Sequence, residues 1–354
     1  MKTSTPAISL SMLGGLLLAS AGSATHAQGP ASLSDCAGIA DDRQRLACFD
    51  RLAAGTGQEG RTRPVQRADE APAVPEPATA SFEKARQADA FSLSRHWELS
   101  REDKQGTFVF RPHHDNYVLF ANYSTSPNNA PFTPLVGSLV PQGTKLSHVE
   151  VKFQLGFKMK LLEDLPLRHS DLWFGYTQQS YWQAYNNRAS NPFRESDYLP
   201  ELMLVVPTDY NLFGLNGRFV NFGLIHQSNG RGGSLSRSWN RFYLQTGLEK
   251  GDFSLLARAW KRIPESASTD DNPDILNYMG YGDLQGVYRW RGHEFSLLGR
   301  RNFHTNHGAV QLGWAFPLAP RVKGFVQAFS GYGQSLLDYN HAQQTIGLGI
   351  QVGY

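Results

Sequence analysis

Residues 149–162 read VEVKFQLGFKMKLL, and they alternate without a break. Val149, Val151, Phe153, Leu155, Phe157, Met159 and Leu161 share one parity, while Glu150, Lys152, Gln154, Gly156, Lys158 and Lys160 share the other. Successive side chains of a strand point to opposite sides, so this segment is a strand with one apolar and one charged face. It exceeds the roughly 5–6 residues usual in globular sheets and reaches the roughly 9–11 needed to cross a bilayer obliquely. The period continues in FYLQTGLEKGDFSLLARAWKR (242–262), with a tight hairpin at Lys250-Gly251-Asp252, and in GYGDLQGVYRWRGHEFSLLGRRN (280–302), which turns at Arg291-Gly292.

Marking every such segment gives twelve strands, an even number as a single-chain outer membrane barrel requires. They lie near residues 107–124, 145–162, 170–185, 198–212, 215–228, 237–249, 252–263, 278–290, 293–303, 308–317, 321–331 and 343–354. Connections after even-numbered strands are short. Several after odd-numbered strands are long and polar, as in STSPNNAPFTPLVGSLVPQ (124–142) and PESASTDDNPD (264–274). That asymmetry matches short periplasmic turns and longer outside loops. The end, TIGLGIQVGY, alternates Leu348, Ile350, Val352 and Tyr354 with small or polar residues, like an outer membrane assembly signal. A soluble β-sandwich also alternates, but strand length, loop asymmetry and the final aromatic favour an all-β, twelve-stranded antiparallel transmembrane β-barrel over residues 95–354.

The remainder fits an exported protein. Residues 1–27 place Lys2 before a short apolar run ending in Thr25-His26-Ala27, which reads as a signal peptide. Cys36 and Cys48, the chain's two cysteines, flank a helix-prone segment that starts near Asp35 and ends at Gly55. In an oxidising compartment they are expected to form one disulfide stapling a small module over 28–55, placed in the periplasm. Residues 56–94, rich in Pro, Ala, Glu and Arg, read as a flexible linker. A net charge of +3 with no basic block interleaved with aromatics excludes nucleic acid as an evident partner.

One strand end does not fit a plain barrel wall. In HQSNGRGGSLSRSWNR (226–241), His226 and Ser228 continue the apolar parity of Val220, Phe222 and Leu224, and Asn240 continues that of Phe242 and Leu244. Three polar groups therefore fall on the lipid-facing side near the rim, a costly placement unless it serves a function. A serine hydroxyl is a weak nucleophile until a neighbouring base takes its proton, and histidine is the natural base near neutral pH. Asn240 is placed to hold the imidazole tautomer, and the Gly230 backbone N–H to meet a developing oxyanion. The blander reading makes His226 an interfacial residue and lets Arg231, Arg237 and Arg241 meet lipid phosphates.

The stretch closely resembles the signature of outer membrane phospholipase A, and the resemblance runs from about residue 95 to the C terminus. Both blocks, HxSNGR and SRSWNR, are intact. The resemblance implies a phospholipase with A1, A2 and lysophospholipase activity, calcium-dependent and active as a homodimer, whose site faces the outer leaflet. It implies Ser228 as nucleophile, His226 as base and Asn240 as its orienter. It implies one Ca2+ per monomer, completed in the dimer, held by the backbone oxygen of Arg231, the hydroxyl of Ser236 and the partner's counterpart of Ser190. Gln178 matches a polar residue at the dimer interface. Between Arg231 and Ser236 the run Gly-Gly-Ser-Leu looks more flexible than in the family, and the cysteine module is an extension of the family pattern. Competing classes are a passive pore without hydrolase activity and a lipopolysaccharide deacylase.

Overall fold

A computed structural model describes residues 36–55, 91–134, 137–143, 145–190 and 192–352. The signal peptide, most of the linker and Tyr354 lie outside the described residues. The chain divides into two compact units, Met1–Pro77 and Ala78–Tyr354.

In the first unit, helix α1 spans Asp42–Gly55. The Asp41 carboxylate accepts the Gln44 amide at 3.0 Å and caps this helix; Cys36 and Ala37 before it are also helical, and the expected cap Asp35 lies outside the described residues. Cys48 lies within α1 rather than beyond it, and it is bonded to Cys36 with the Cα atoms 5.5 Å apart.

The second unit is a closed barrel of twelve antiparallel strands. They are β1 Asn116–Ser124, β2 Val149–Leu165, β3 Ser170–Trp182, β4 Phe193–Leu212, β5 Leu215–Ser228 and β6 Ser238–Lys250. The second half comprises β7 Phe253–Ile263, β8 Gly282–Trp290, β9 His293–Arg301, β10 Gly308–Ala319, β11 Val322–Tyr332 and β12 Ala342–Val352. Each strand pairs with its neighbours in sequence, and β12 pairs with β1 to close the wall. Even-to-odd connections are tight. Phe213-Gly214 and Arg291-Gly292 both have positive φ at their two central residues, the hairpin turn whose twist matches that of the strands. No helix among the described residues is long and apolar enough to cross a membrane.

Burial inverts the globular pattern. Outward-pointing Leu155, Phe222, Leu224, Phe242, Leu297, Leu312 and Leu348 are exposed, whereas Lys152, Lys158 and Lys160 are buried inside. An apolar outer band around a polar interior is what a barrel in lipid needs. The first strand is shorter than expected. A two-residue strand, Arg111–Pro112, pairs with β2 before β1 begins at Asn116. Residues 91–97 belong to the packed unit: Leu93 and Trp97 are buried, and Trp97 meets Trp173 and Phe219.

Charged side chains cross the lumen. Lys152 on β2 donates to Gln327 on β11 at 2.7 Å. Arg194 grips Glu150 at 3.0 and 3.1 Å and Asp338, in the β11–β12 loop, at 2.8 Å. Such a filled interior argues against the passive-pore reading. Burial opposes the charged form of Asp338, but Arg194 and hydrogen bonds from Ser335 and Asn128 outweigh it and hold its pKa below the usual carboxylate range. Its contribution to stability is complete above the ordinary pKa of about 4 and fades as pH falls through the lowered value. Replacing Arg194 by Ala leaves two buried carboxylates unpaired and is expected to cost about 3–5 kcal/mol. The readout is the denaturant midpoint of the refolded barrel at neutral pH, and an unchanged midpoint would refute the assignment.

Candidate active site

Strand β5 carries Phe222, Leu224 and His226 on its exposed parity, and Gly223, Ile225 and Gln227 on its buried one. His226 therefore stands on the outer wall. On β6 the inward residues Trp239, Arg241 and Tyr243 are buried, which turns Asn240, Phe242 and Leu244 outward. Register brings the two strands together with His226 directly opposite Asn240 and Ser228 opposite Ser238. His226 Nδ1 and Asn240 Oδ1 are 2.8 Å apart. With Nδ1–H donated to that carbonyl oxygen, Nε2 is left as the basic nitrogen. Ser228 lies two residues further on the same face, roughly 6.5–7 Å along the strand. The His226–Asn240 contact is formed in this structure, and no hydrogen bond joins Ser228 to His226.

The loop between the strands is rich in glycine, yet it is pinned. Asn229 Oδ1 accepts the backbone amides of Arg231 at 3.2 Å and Arg237 at 3.0 Å. Its Nδ2 donates to Leu235 O at 2.9 Å and to the buried carboxylate of Glu195 at 3.0 Å. Arg237 is buried and ties Ser234 O, Ser236 O and Phe132 O to one guanidinium. Gly230 sits at φ +63°, and a Cβ there would stand 3.2 Å from the Tyr198 ring, so only glycine fits without strain. Between these staples a Cβ at Gly232 or Gly233 would meet nothing within 4 Å.

The remaining motif residues have assigned places. Trp239 Nε1 donates to Gln227 at 3.0 Å, and the Arg241 guanidinium lies 3.8 Å from the centre of the Trp239 ring. Arg237 and Arg241 are buried inside the wall, so the reading that set them against lipid phosphates is corrected. Arg231 is partly exposed, with Nε 3.6 Å from Glu195.

Calcium needs hard oxygen donors. Ser236 Oγ donates to Asp271 Oδ2 at 2.6 Å, which sets a carboxylate beside the hydroxyl expected to be a ligand. Asp271 belongs to the long β7–β8 loop, with Glu265 and Asp270 nearby. Burial, then the charges of Asp270 and Asp271, raise the pKa of Glu265 against the opposing Arg262. Hydroxyl, backbone carbonyl and carboxylate together are a donor set that suits calcium, so the residues present fit the ion. Asp271 was missed by sequence reading because it lies 35 residues from Ser236, and only strand pairing brings its loop over. Ser190 is exposed in the β3–β4 loop at φ +56° and makes no hydrogen bond to Ser236 or Arg231 within the chain. Gln178 lies on the outward parity of β3 with Phe174 and Tyr176, so it is not a lumen residue.

The fold defines a class first: an integral outer membrane β-barrel that carries, on its outer wall, residue types suited to ester hydrolysis. The chain belongs to the phospholipase A1 family, whose model matches residues 93–352. Phospholipase A1 of Escherichia coli K12 is 36% identical over 251 residues, covering 71% of this chain and 84% of the relative. A relative from Neisseria meningitidis serogroup B is 40% identical over 344 residues, 89% of each chain, a match that reaches into the residues before the barrel. The solved structure of E. coli outer membrane phospholipase A aligns with a TM-score of 0.65 and 33% identity, over 73% of this chain and 96% of that one. An asparagine-to-alanine active site mutant of the same E. coli protein aligns with a TM-score of 0.65 and 32% identity, over 74% and 99%. The Salmonella typhi outer membrane phospholipase dimer with bound calcium also gives 0.65 and 33%, over 73% and 96%.

Proposed function

We propose that this chain hydrolyses acyl esters of phospholipids and lysophospholipids in the outer leaflet through Ser228, His226 and Asn240, with calcium, as a homodimer. The observation that carries the reading is the 2.8 Å contact between His226 and Asn240 on the outer wall. Two polar groups in such a band are expensive, and this pairing leaves Nε2 as the basic nitrogen, with Ser228 two residues along the same strand face. The asparagine counted among the active-site residues of the E. coli protein supports the role of Asn240.

Ser228 Oγ attacks the ester carbonyl while His226 Nε2 takes its proton. The tetrahedral oxyanion points at the Gly230 amide, and the leaving lysolipid alkoxide takes the proton back from Nε2. Water then repeats the sequence, releasing the fatty acid and restoring Ser228. Calcium held by Arg231 O, Ser236 and the Ser190 side chain of a second copy would supply positive charge beside the oxyanion. Asp271, hydrogen-bonded to Ser236, adds the negative charge that such an ion needs.

The dimer reading rests on position. Gln178, Tyr198, Ser228 and Ser238 form one row across four strands. With strands about 4.8 Å apart, Gln178 stands about 10 Å from the nucleophile along the outer wall. A second copy docked on Gln178 lies beside the site, within reach of lipid chains entering sideways. In this reading the loop-rich end faces outward and the N-terminal module the periplasm.

The test uses the refolded chain in detergent with calcium and a phospholipid carrying different acyl chains at its two positions, with products followed by mass spectrometry. Both fatty acids should appear, and the lysolipid should be consumed. Asn240→Ala should retain measurable activity at about 10- to 100-fold lower kcat, the worth of one hydrogen bond to a group that becomes charged. No fatty acid from the wild type would overturn the proposal.

A further inference from the structure

Inside the barrel, on the opposite side of the wall that carries His226, a second group of side chains converges. His113 and His114 follow the short strand Arg111–Pro112, and Glu201 projects inward from β4, 88 residues further along the chain. His113 Nε2 lies 2.7 Å from Glu201 Oε1, and His114 Nε2 lies 3.9 Å from the same oxygen. One donor atom from each of the three lies within 4.8 Å of the others. All three line an interior cavity of about 300 Å³. We propose that His113, His114 and Glu201 form a structural site for a divalent transition-metal ion, of which zinc is the expected one.

A plain histidine–glutamate hydrogen bond requires one imidazole, but here two meet one carboxylate oxygen. Their ring centres are 4.0 Å apart, and His114 at 3.9 Å is too far to hydrogen-bond that oxygen. His113 Nδ1 is buried without a hydrogen-bond partner, so hydrogen bonding alone leaves this imidazole half satisfied. Three ligands at about 2.0–2.2 Å from a tetrahedral zinc stand about 3.3 Å apart, so the 2.7 Å His113–Glu201 contact would open and the 3.9 Å His114–Glu201 contact close by similar small amounts. Two imidazoles and one carboxylate suit zinc, with water at the fourth position, and do not suit calcium, which prefers oxygens. The other carboxylate oxygen of Glu201 accepts a hydrogen bond from Tyr243, the outer contact that fixes a ligating carboxylate. Nearby cations are engaged elsewhere: Arg258 pairs with Asp283 at 2.6 Å, and Lys158 lies 3.5 Å from the centre of the Trp97 ring. Bound metal would tie the segment before β1 to β4, where the short strand otherwise contributes only two paired residues.

The untagged full chain, refolded in detergent, is loaded with zinc in the presence of excess calcium, freed of unbound metal by gel filtration and assayed for zinc per chain. About one zinc should be retained, with a raised thermal midpoint. Cobalt in its place should give the visible absorption of a tetrahedral site. His114→Ala and Glu201→Gln should each lower zinc affinity at least tenfold, while heat-dependent mobility on gels reports that the barrel is folded. Should Glu201→Gln fail to fold, His114→Ala decides alone. A wild type that keeps no zinc, zinc displaced by calcium, or variants that keep as much zinc as the wild type would each overturn the proposal.

Discussion

Ser228→Ala is expected to lower phospholipid hydrolysis by about 10⁴-fold or more, because no other group can form the acyl intermediate and the pathway closes rather than slows. The fold should be unaffected. Ser228 is at the end of β5, half-buried on the outer wall, with no hydrogen bond to His226 to lose. Calcium binding, dimer formation and the denaturant midpoint should therefore match the wild type. That separation makes the experiment decisive: a variant that folds and dimerises normally but still hydrolyses ester within tenfold of the wild type would remove Ser228 as nucleophile. The contrast with Asn240→Ala is part of the prediction. Asn240 acts through His226, so its loss lowers the rate without abolishing it, and the difference between the two variants should exceed about 2 kcal/mol of barrier.

How far the sequence carried depends on whether the signal is local. Strand parity is local, so VEVKFQLGFKMKLL announced both its lipid face and its lumen face, and the start and end of β5 are those expected from alternation. The first strand was drawn too long because residues 107–115 carry mixed polarity. There the chain pairs for only two residues and then turns with His113 and His114 into the lumen. The outward placement of His226 and Asn240 was legible for the same reason of parity, and their contact followed from one hairpin's register. Residues 91–97 were read partly as linker because nothing in their composition reveals that Leu93 and Trp97 find a partner surface in the barrel. Long-range pairings were invisible. Asn229 reads as one more loop residue until Glu195, 34 positions away, is found holding its amide. Arg237 and Arg241 look like surface cations, since a sequence cannot show that carbonyl oxygens and a tryptophan ring wait for them inside. Asp271 sits in an acidic loop, and its closeness to Ser236 depends on β6 and β7 pairing along their full length.

That last contact sets the other large effect. Removing calcium with a chelator is expected to abolish hydrolysis, and restoring it to recover activity fully, because the proposed ligands Arg231, Ser236 and Ser190 lie in loops, apart from the ion pairs that cross the lumen. Asp271→Asn keeps a hydrogen-bond acceptor for Ser236 but removes one negative charge from a site with few protein oxygens. It should raise the calcium concentration for half-maximal activity about 10- to 100-fold and leave the rate at saturating calcium nearly unchanged. Ser236→Ala removes the proposed ligand itself and should shift the requirement at least as far. Ser190→Ala distinguishes a site completed by a second copy from one held within a single chain. Mixed with the Ser228→Ala chain, it should regain calcium-dependent activity, since in one of the two sites of the mixed dimer an intact Ser228 meets an intact Ser190 from the partner. In a site built within one chain, the mixture shows only the calcium response of Ser190→Ala alone. Full hydrolysis in the presence of chelator would sink the calcium reading, whereas a lost calcium response without lost dimerisation would confine the ion's role to the oxyanion.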